Sequence, residues 1–271
     1  MPDAARLDEL RTRILAWYAE HRRDLPWRRT TDPYAVLVSE VMLQQTQVSR
    51  VVPYYRAWLA ALPDLESLAA APLDRVLRLW QGLGYNNRAQ RLRACAQACM
   101  GARAPGATAA LPRSLPELQT LPGLGAYTAR AVLAFAYNDD VAAVDANVRR
   151  VLTHELGLPP ELPARRLQDV AEAALPRGRS RAWHNALMDY GALVLTSRAT
   201  GITPPTRQSR FEGSRRQRRS RVLRALLSDG AQSPLALAGR LELPLEDVED
   251  VVELLRRDGL VTGDDGVVSV A

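Results

Sequence analysis

The stretch LPGLGAYTARAVLAFAY, residues 121–137, sets Gly123 and Gly125 between a short helix predicted at 115–120 and a longer one at 126–137. Two glycines two residues apart permit a tight hairpin and expose backbone N–H groups where the second helix begins, which suits a phosphate. A plain corner between two helices carries the same pattern. Working outward, nearly everything else also reads as helix: 5–20, 64–70, 73–80, 87–100, 145–156, 165–175 and 181–197. Another opens at Thr31 or Asp32, with Pro33 at its first position, and is predicted to run through the late forties. Proline and glycine clusters at 101–116 and 158–164 punctuate the helices, so the fold class is all-α.

Composition narrows the function classes. A chain of 271 residues that is 47% hydrophobic and 24% charged is ordinary for a globular protein of about two domains. No apolar run reaches the roughly 20 residues that span a bilayer, and the N-terminus is polar, so neither a membrane role nor export is expected and the location is read as cytoplasmic. The chain holds 36 lysines plus arginines, every one of them arginine, and a net charge of +6. Residues 214–271 carry nine arginines against ten carboxylates, so the first 213 residues carry the whole excess. Forked, permanently charged donors in excess suit a phosphate backbone. Two cysteines, Cys95 and Cys99, supply neither a disulfide framework nor four thiolate ligands, and read as free thiols.

Residues 201–213 read as a linker. Beyond it come helices at 215–228, 234–241 and 245–257, then LVT, a turn at Gly263–Gly266, and VVSV, a winged-helix-like pattern over 214–271. The third helix carries Glu246, Asp247, Glu249, Asp250 and Glu253 and would repel phosphates, whereas the first carries SRRQRRSR at 214–221. A packing or partner role is therefore expected for this segment.

Two carboxyls stand out. Asp145 in VDANVRRVL lies at a helix start, where a plain N-cap would accept the N–H of Asn147 or Val148 and hold the carboxylate ionised. Glu40 in SEVMLQQTQV shares its helical face with Val36, Leu37, Leu43 and Gln44, so desolvation should raise its pKa. One ionised and one neutral carboxyl suit the breaking of a glycosidic bond, the acid protonating the leaving group and the anion steadying the cationic sugar. In GLGY, residues 82–85, Leu83 and Tyr85 sit on a glycine-flexed turn and read as a projecting wedge, the plainer reading being loop anchors.

Taken together, LPWRRTTDPYAVLVSEVMLQQTQV (25–48), LWQGLGYNNRA (79–89), LPGLGAYTARAVLAFAY and VDANVRRVL (144–152) resemble the MutY-type adenine DNA glycosylases of the helix–hairpin–helix superfamily. The resemblance implies a two-lobed helical core over 1–200, with 30–140 as an inserted lobe and 1–29 plus 141–200 as the second. It implies duplex DNA with a damaged or mispaired base as partner, the target base flipped into a pocket, and a monomer. By position Glu40 matches the family's acid and Asp145 its stabilising carboxylate, with Tyr127 and Asn147 orienting them. Gln45, Leu83 and Tyr85 match the wedge, while Gly123, Gly125, Arg28 and Arg88 are expected to meet DNA. The carbonyls of Gln119, Leu121 and Leu124 match those that can hold Na+ or K+, and no cofactor is otherwise required. Tyr127 stands where strand-cleaving relatives have a Schiff-base lysine, and this chain has no lysine, so lyase activity is not expected.

The chain also departs from the family. Leu195, Ile202, Pro205 and Phe211 stand where four cysteines usually hold a 4Fe-4S cluster, so a clusterless loop held by a small apolar cluster is expected. The winged-helix-like segment stands where longer members carry a domain that reads 8-oxoguanine. Asn86 and Ala146 replace a common tyrosine and glycine, and VDAN with Tyr127 is also similar to archaeal mismatch glycosylases that remove thymine. Adenine removal is the expected activity. Removal of thymine, uracil or another damaged base is the alternative, and a catalytically inert damage sensor is the alternative of another class.

Overall fold

The structure, a computed structural model, describes residues 2–104, 106–203, 210–263 and 266–271. In chain order the helices begin α1 (Ala4–His21), α2 (Pro33–Leu43), α3 (Val48–Ala61), α4 (Leu65–Ala70), α5 (Leu73–Trp80) and α6 (Asn87–Ala102). They continue α7 (Leu115–Thr120), α8 (Ala126–Val132), α9 (Ala146–Glu155), α10 (Ala164–Ala174), α11 (Ser180–Leu193) and α12 (Ser197–Thr200). Last come α13 (Arg215–Asp229), α14 (Pro234–Leu241), α15 (Leu245–Arg257) and the strands β1 (Val261–Thr262) and β2 (Ser269–Val270). No helix among the described residues is long and apolar enough to cross a membrane.

Two compact units result, Met1–Val41 with Leu111–Arg207, and Met42–Ala110 with Gln208–Ala271. These bounds differ from the expected lobes at 30–140 and 1–29 plus 141–200, and from a separate domain at 214–271. Side-chain bonds give the reason. Arg181 of α11 donates to the carbonyls of Phe135 and Ala136 at 2.6 and 2.7 Å, which binds the end of the hairpin helix to the terminal helices. Gln90 of α6 donates to the Gly259 carbonyl at 2.9 Å, which binds the C-terminal segment to 42–110.

In the first unit, Leu7, Leu10 and Ile14 of α1 lie at helical spacing and pack with Val148, Val151 and Leu152 of α9 and Trp183 and Leu187 of α11. Asp3 caps α1 by accepting the Arg6 N–H at 2.8 Å. The hairpin follows its glycines. Gly123 has φ +81, a left-handed turn costly for any other residue, and Gly125 is the extended N-cap of α8. The predicted helix 126–137 forms, but its last turn, Leu133–Tyr137, is wound as a π-helix and ends on left-handed Asn138.

In the second unit, Trp58 and Trp80 meet edge to face with centroids 5.5 Å apart, and Cys95 and Cys99 are buried. The three C-terminal helices and the strand pair follow the predicted order, β1 and β2 pairing antiparallel through Val261↔Val270 and Thr262↔Ser269. The turn residues 264–265 lie outside the described residues. The acidic face of α15 and the basic face of α13 meet each other: Arg218 pairs with Asp247 at 2.8 Å, Arg215 with Asp250 at 3.5 Å, and Arg219 with Asp258.

One helix is corrected. That predicted from Pro33 through the late forties stops at Leu43, and α3 starts at Val48 after a turn in which Gln45 takes φ +55. The Arg88 guanidinium accounts for the stop, because it takes up the Met42 and Gln44 carbonyls at 3.1 and 2.6 Å. Pro53 hid α3 in the sequence, yet it is accommodated inside the helix.

Candidate functional site

Asp32 caps α2 through its side chain, accepting the N–H groups of Tyr34 and Ala35, and the helix carries Glu40 into a buried position. There the Tyr127 hydroxyl of α8 donates to Glu40 Oε2 at 2.8 Å. Desolvation pushes the Glu40 pKa up to about 7 from the ordinary 4.5. The Tyr127 bond and Arg28 oppose that rise, and the charge of Asp145 adds to it. The Tyr127 phenol is itself held well above its usual value, first by desolvation and then by the two carboxylates, so it remains a donor.

Asp145 caps α9 as expected. Its Oδ1 accepts the Val148 N–H at 2.7 Å and its Oδ2 accepts from Asn147 Nδ2 at 2.9 Å. Burial raises the Asp145 pKa from its ordinary value, and the bonds from Val148 and Asn147, with the charge of Arg150, oppose that rise. Behind Asn147 stands Arg150, which donates to Asn147 Oδ1 at 2.7 Å and to the Gly191 carbonyl at 2.6 Å. It also donates to the Leu195 carbonyl. The Arg150 guanidinium is buried, and desolvation lowers its pKa. A Cβ on Gly191 would stand 2.8 Å from Asn147 Cβ, so only glycine lets α11 approach α9 there.

Sequence reasoning missed both Arg150 and Gly191. An isolated glycine inside a helical pattern was the available signal for Gly191. The spacing of Arg150, three residues after Asn147 on one helix face, was the signal for its bond to Asn147.

The second unit holds Gln45, Leu83, Tyr85 and Arg88. Gln45 and Tyr85 both adopt left-handed backbone, φ +55 and +49, and both are exposed. Leu83 is only 5% exposed, which corrects its reading as a projecting wedge: it anchors the loop. Arg88 is also corrected, being buried rather than turned toward a phosphate. It donates to the Leu83 and Gly84 carbonyls at 3.2 and 3.0 Å, as well as to those of Met42 and Gln44, and so ties the loop of Gln45 to the loop of Tyr85. Arg28 is likewise engaged, donating to both oxygens of fully buried Asp189 at 2.6 and 2.8 Å, beside Arg23. Its part is to neutralise that carboxylate.

Of the residues at the four cysteine positions, Leu195 is buried and Ile202 half-buried, while Pro205 lies outside the described residues. Phe211 is 51% exposed and so is not closed into an apolar core.

With this geometry in place, comparison with known proteins decides the family. The model of the HhH-GPD superfamily base excision DNA repair proteins matches residues 38–173, which contain Glu40, the hairpin, Tyr127 and Asp145. The chain belongs to this superfamily.

This repair protein is similar to the adenine DNA glycosylase of Mycolicibacterium smegmatis, at 42% identity over 234 residues, 79% of this chain and 78% of that one. It is 36% identical over 282 residues to the adenine DNA glycosylase of Mycobacterium tuberculosis, covering 93% of this chain and 90% of that one. Among solved structures it superposes on a thermostable thymine-DNA glycosylase with a TM-score of 0.66 and 29% identity, over 73% of this chain and 92% of that one.

Proposed function

We propose that this protein is an adenine DNA glycosylase of base excision repair. It hydrolyses the N-glycosidic bond of adenine mispaired with 8-oxoguanine or guanine, after the base has been flipped out of duplex DNA. The observation that carries this reading is the Tyr127–Glu40 pair, an acid with a pKa of about 7 coupled to a second, capped carboxyl. Likeness to adenine DNA glycosylases over most of the chain supports the choice of base.

Glu40, protonated near neutral pH, gives its proton to a ring nitrogen of the flipped adenine, so that the C1′–N bond breaks with its electrons leaving on the base. Asp145, whose carboxylate accepts hydrogen bonds from the Val148 N–H and the Asn147 amide, is the carboxyl that steadies the oxocarbenium sugar. Water adds at C1′ and returns a proton to the carboxyl pair, leaving free adenine and an abasic site. No lysine exists to form a Schiff base, so the enzyme is monofunctional and does not cut the strand. Gly125 leaves the start of α8 uncovered, since a Cβ there would meet nothing within 4 Å, and its backbone can approach a phosphate.

No cofactor enters this chemistry, and the four cysteine positions hold no metal ligand. The carbonyls of Gln119, Leu121 and Leu124 would be the ligands of a monovalent cation at the hairpin. Leu121 gives one lone pair to the Leu124 N–H at 3.2 Å and keeps a second for an ion, whose positive charge would favour the nearby phosphate.

The test is a single-turnover assay on duplexes with adenine opposite 8-oxoguanine, adenine opposite guanine, thymine opposite guanine and uracil opposite guanine. Each is quenched with and without hot alkali. Cleavage of the adenine duplexes alone, and only after alkali, is expected. Cleavage at thymine or uracil would favour the second reading, which the likeness to a thymine-DNA glycosylase supports. Intact duplexes with binding retained would favour an inert sensor.

A further inference from the structure

The arginines of α13 have different fates. Arg215, Arg218 and Arg219 are matched by carboxylates of the same C-terminal segment, and Arg221 goes to the Leu241 carbonyl. Arg216 points elsewhere. Its NH1 donates to the Tyr85 hydroxyl at 2.6 Å, and its guanidinium carbon lies 5.5 Å from the Tyr85 ring centroid and 6.0 Å from that of Phe211. Both rings are open to solvent, 37% and 51% exposed, and they gather around one guanidinium. Exposed aromatic faces around a guanidinium are how proteins bind unstacked nucleobases, because rings and planar cation both stack on a base while the charge attracts the backbone.

We infer that Tyr85, Arg216 and Phe211 form a stacking platform for an unstacked base of the bound duplex, so that the C-terminal segment takes part in reading DNA through the start of α13 rather than through its acidic third helix. Arg216 is a positioning residue that fixes the Tyr85 phenol, and Phe211 supplies a second ring. The inference rests on the reading of Tyr85 as a DNA wedge, and it deepens that reading by adding two residues that the wedge motif does not contain.

The experiment uses the full chain and a duplex carrying a tetrahydrofuran abasic analogue flanked by 2-aminopurine. Fluorescence then reports unstacking without any catalysis. Wild type should bind this duplex more tightly than an intact one and brighten the probe. F211A and R216Q should each lose about ten-fold in affinity for the abasic duplex, the size of one base–aromatic stack, with a dimmer probe. R216K should resemble R216Q, because an ammonium keeps the charge but loses the planar face. Y85F, which removes only the hydroxyl acceptor, should lose part of the R216Q effect and add nothing to it in the double variant.

Rescue by R216K, or wild-type binding and fluorescence in F211A, would overturn the platform. Wild type that unstacks the probe yet releases no base would overturn the glycosylase reading and leave the platform standing. Wild type that excises adenine with F211A and R216Q unchanged would do the reverse. Failure to prefer the abasic duplex at all would overturn the platform, and base release would still decide the glycosylase reading.

Discussion

The Tyr127 hydroxyl and the Glu40 carboxyl, 87 residues apart in the chain, share a 2.8 Å hydrogen bond within one compact unit. The bond stabilises the ionised form of an acid that burial drives toward neutrality, leaving Glu40 near pH 7 rather than far above it. Base release by the wild type should therefore fall as pH rises through about 7. In Y127F the opposing bond is gone and the alkaline limb should move to higher pH, which single-turnover rates against pH would show. An unmoved limb would mean that another group sets it.

Glu40 also couples stability to pH. Its folded pKa of about 7 exceeds the ordinary 4.5, so its contribution is fully present below 4.5 and is lost as pH rises toward 7 and beyond. E40Q has no charge to desolvate. It should match wild type in urea at pH 4 and exceed it at pH 8, by of the order of 3 kcal/mol at most, while releasing no base. Equal stability gaps at both pH values would refute the desolvated acid.

G191A pushes a methyl group toward Asn147 Cβ, 2.8 Å away. The strain should cost about 1–3 kcal/mol of stability, the usual range for overpacking. Displacement of Asn147 should also slow the chemical step by roughly 100-fold, because a shift near 1 Å at a positioned group has that effect. Affinity for an abasic-analogue duplex should stay near wild type, and a loss of affinity equal to the loss of rate would count against Asn147 as the group that orients Asp145.

Asp189 is fully buried between Arg23 and Arg28, and its carboxylate is held below its usual range despite burial. D189N leaves two cations without their anion and should destabilise the first unit by about 3 kcal/mol or more. A urea midpoint like that of wild type would show the pair to be expendable.

Arg88 is a buried cation whose pKa desolvation lowers to about 10, and it donates to carbonyls of both loops that carry left-handed residues. R88M should leave the first unit's stability unchanged, weaken binding to abasic duplex about ten-fold or more, and open residues 43–47 to protease. Unchanged binding would separate the loops from DNA.

Much of this was legible in the sequence, because the signals were local. Glu40 on an apolar helix face, Asp145 at a helix start and the paired glycines of the hairpin each declare their environment within a few residues. Arg28, Arg88 and Leu83 misled because an arginine or a leucine looks the same in sequence whether it faces solvent or a distant carbonyl. Asp189, the partner of Arg28, lies 161 residues away. The end of α2 was hidden for the same reason: what stops it is Arg88, 44 residues on from Gln44, and no capping residue marks the place. The tie between α6 and the C-terminal segment was hidden because Gln90 and Gly259 are separated by 169 residues.

Gln45 and Tyr85 occupy backbone conformations that cost a non-glycine residue of the order of 1 kcal/mol each. Glycine at position 45 would relieve that cost, so on the proposed wedge role thermal endurance and lesion search pull this position in opposite directions. A library of this gene sorted for heat tolerance alone should enrich glycine at 45 and return proteins that survive longer and repair less.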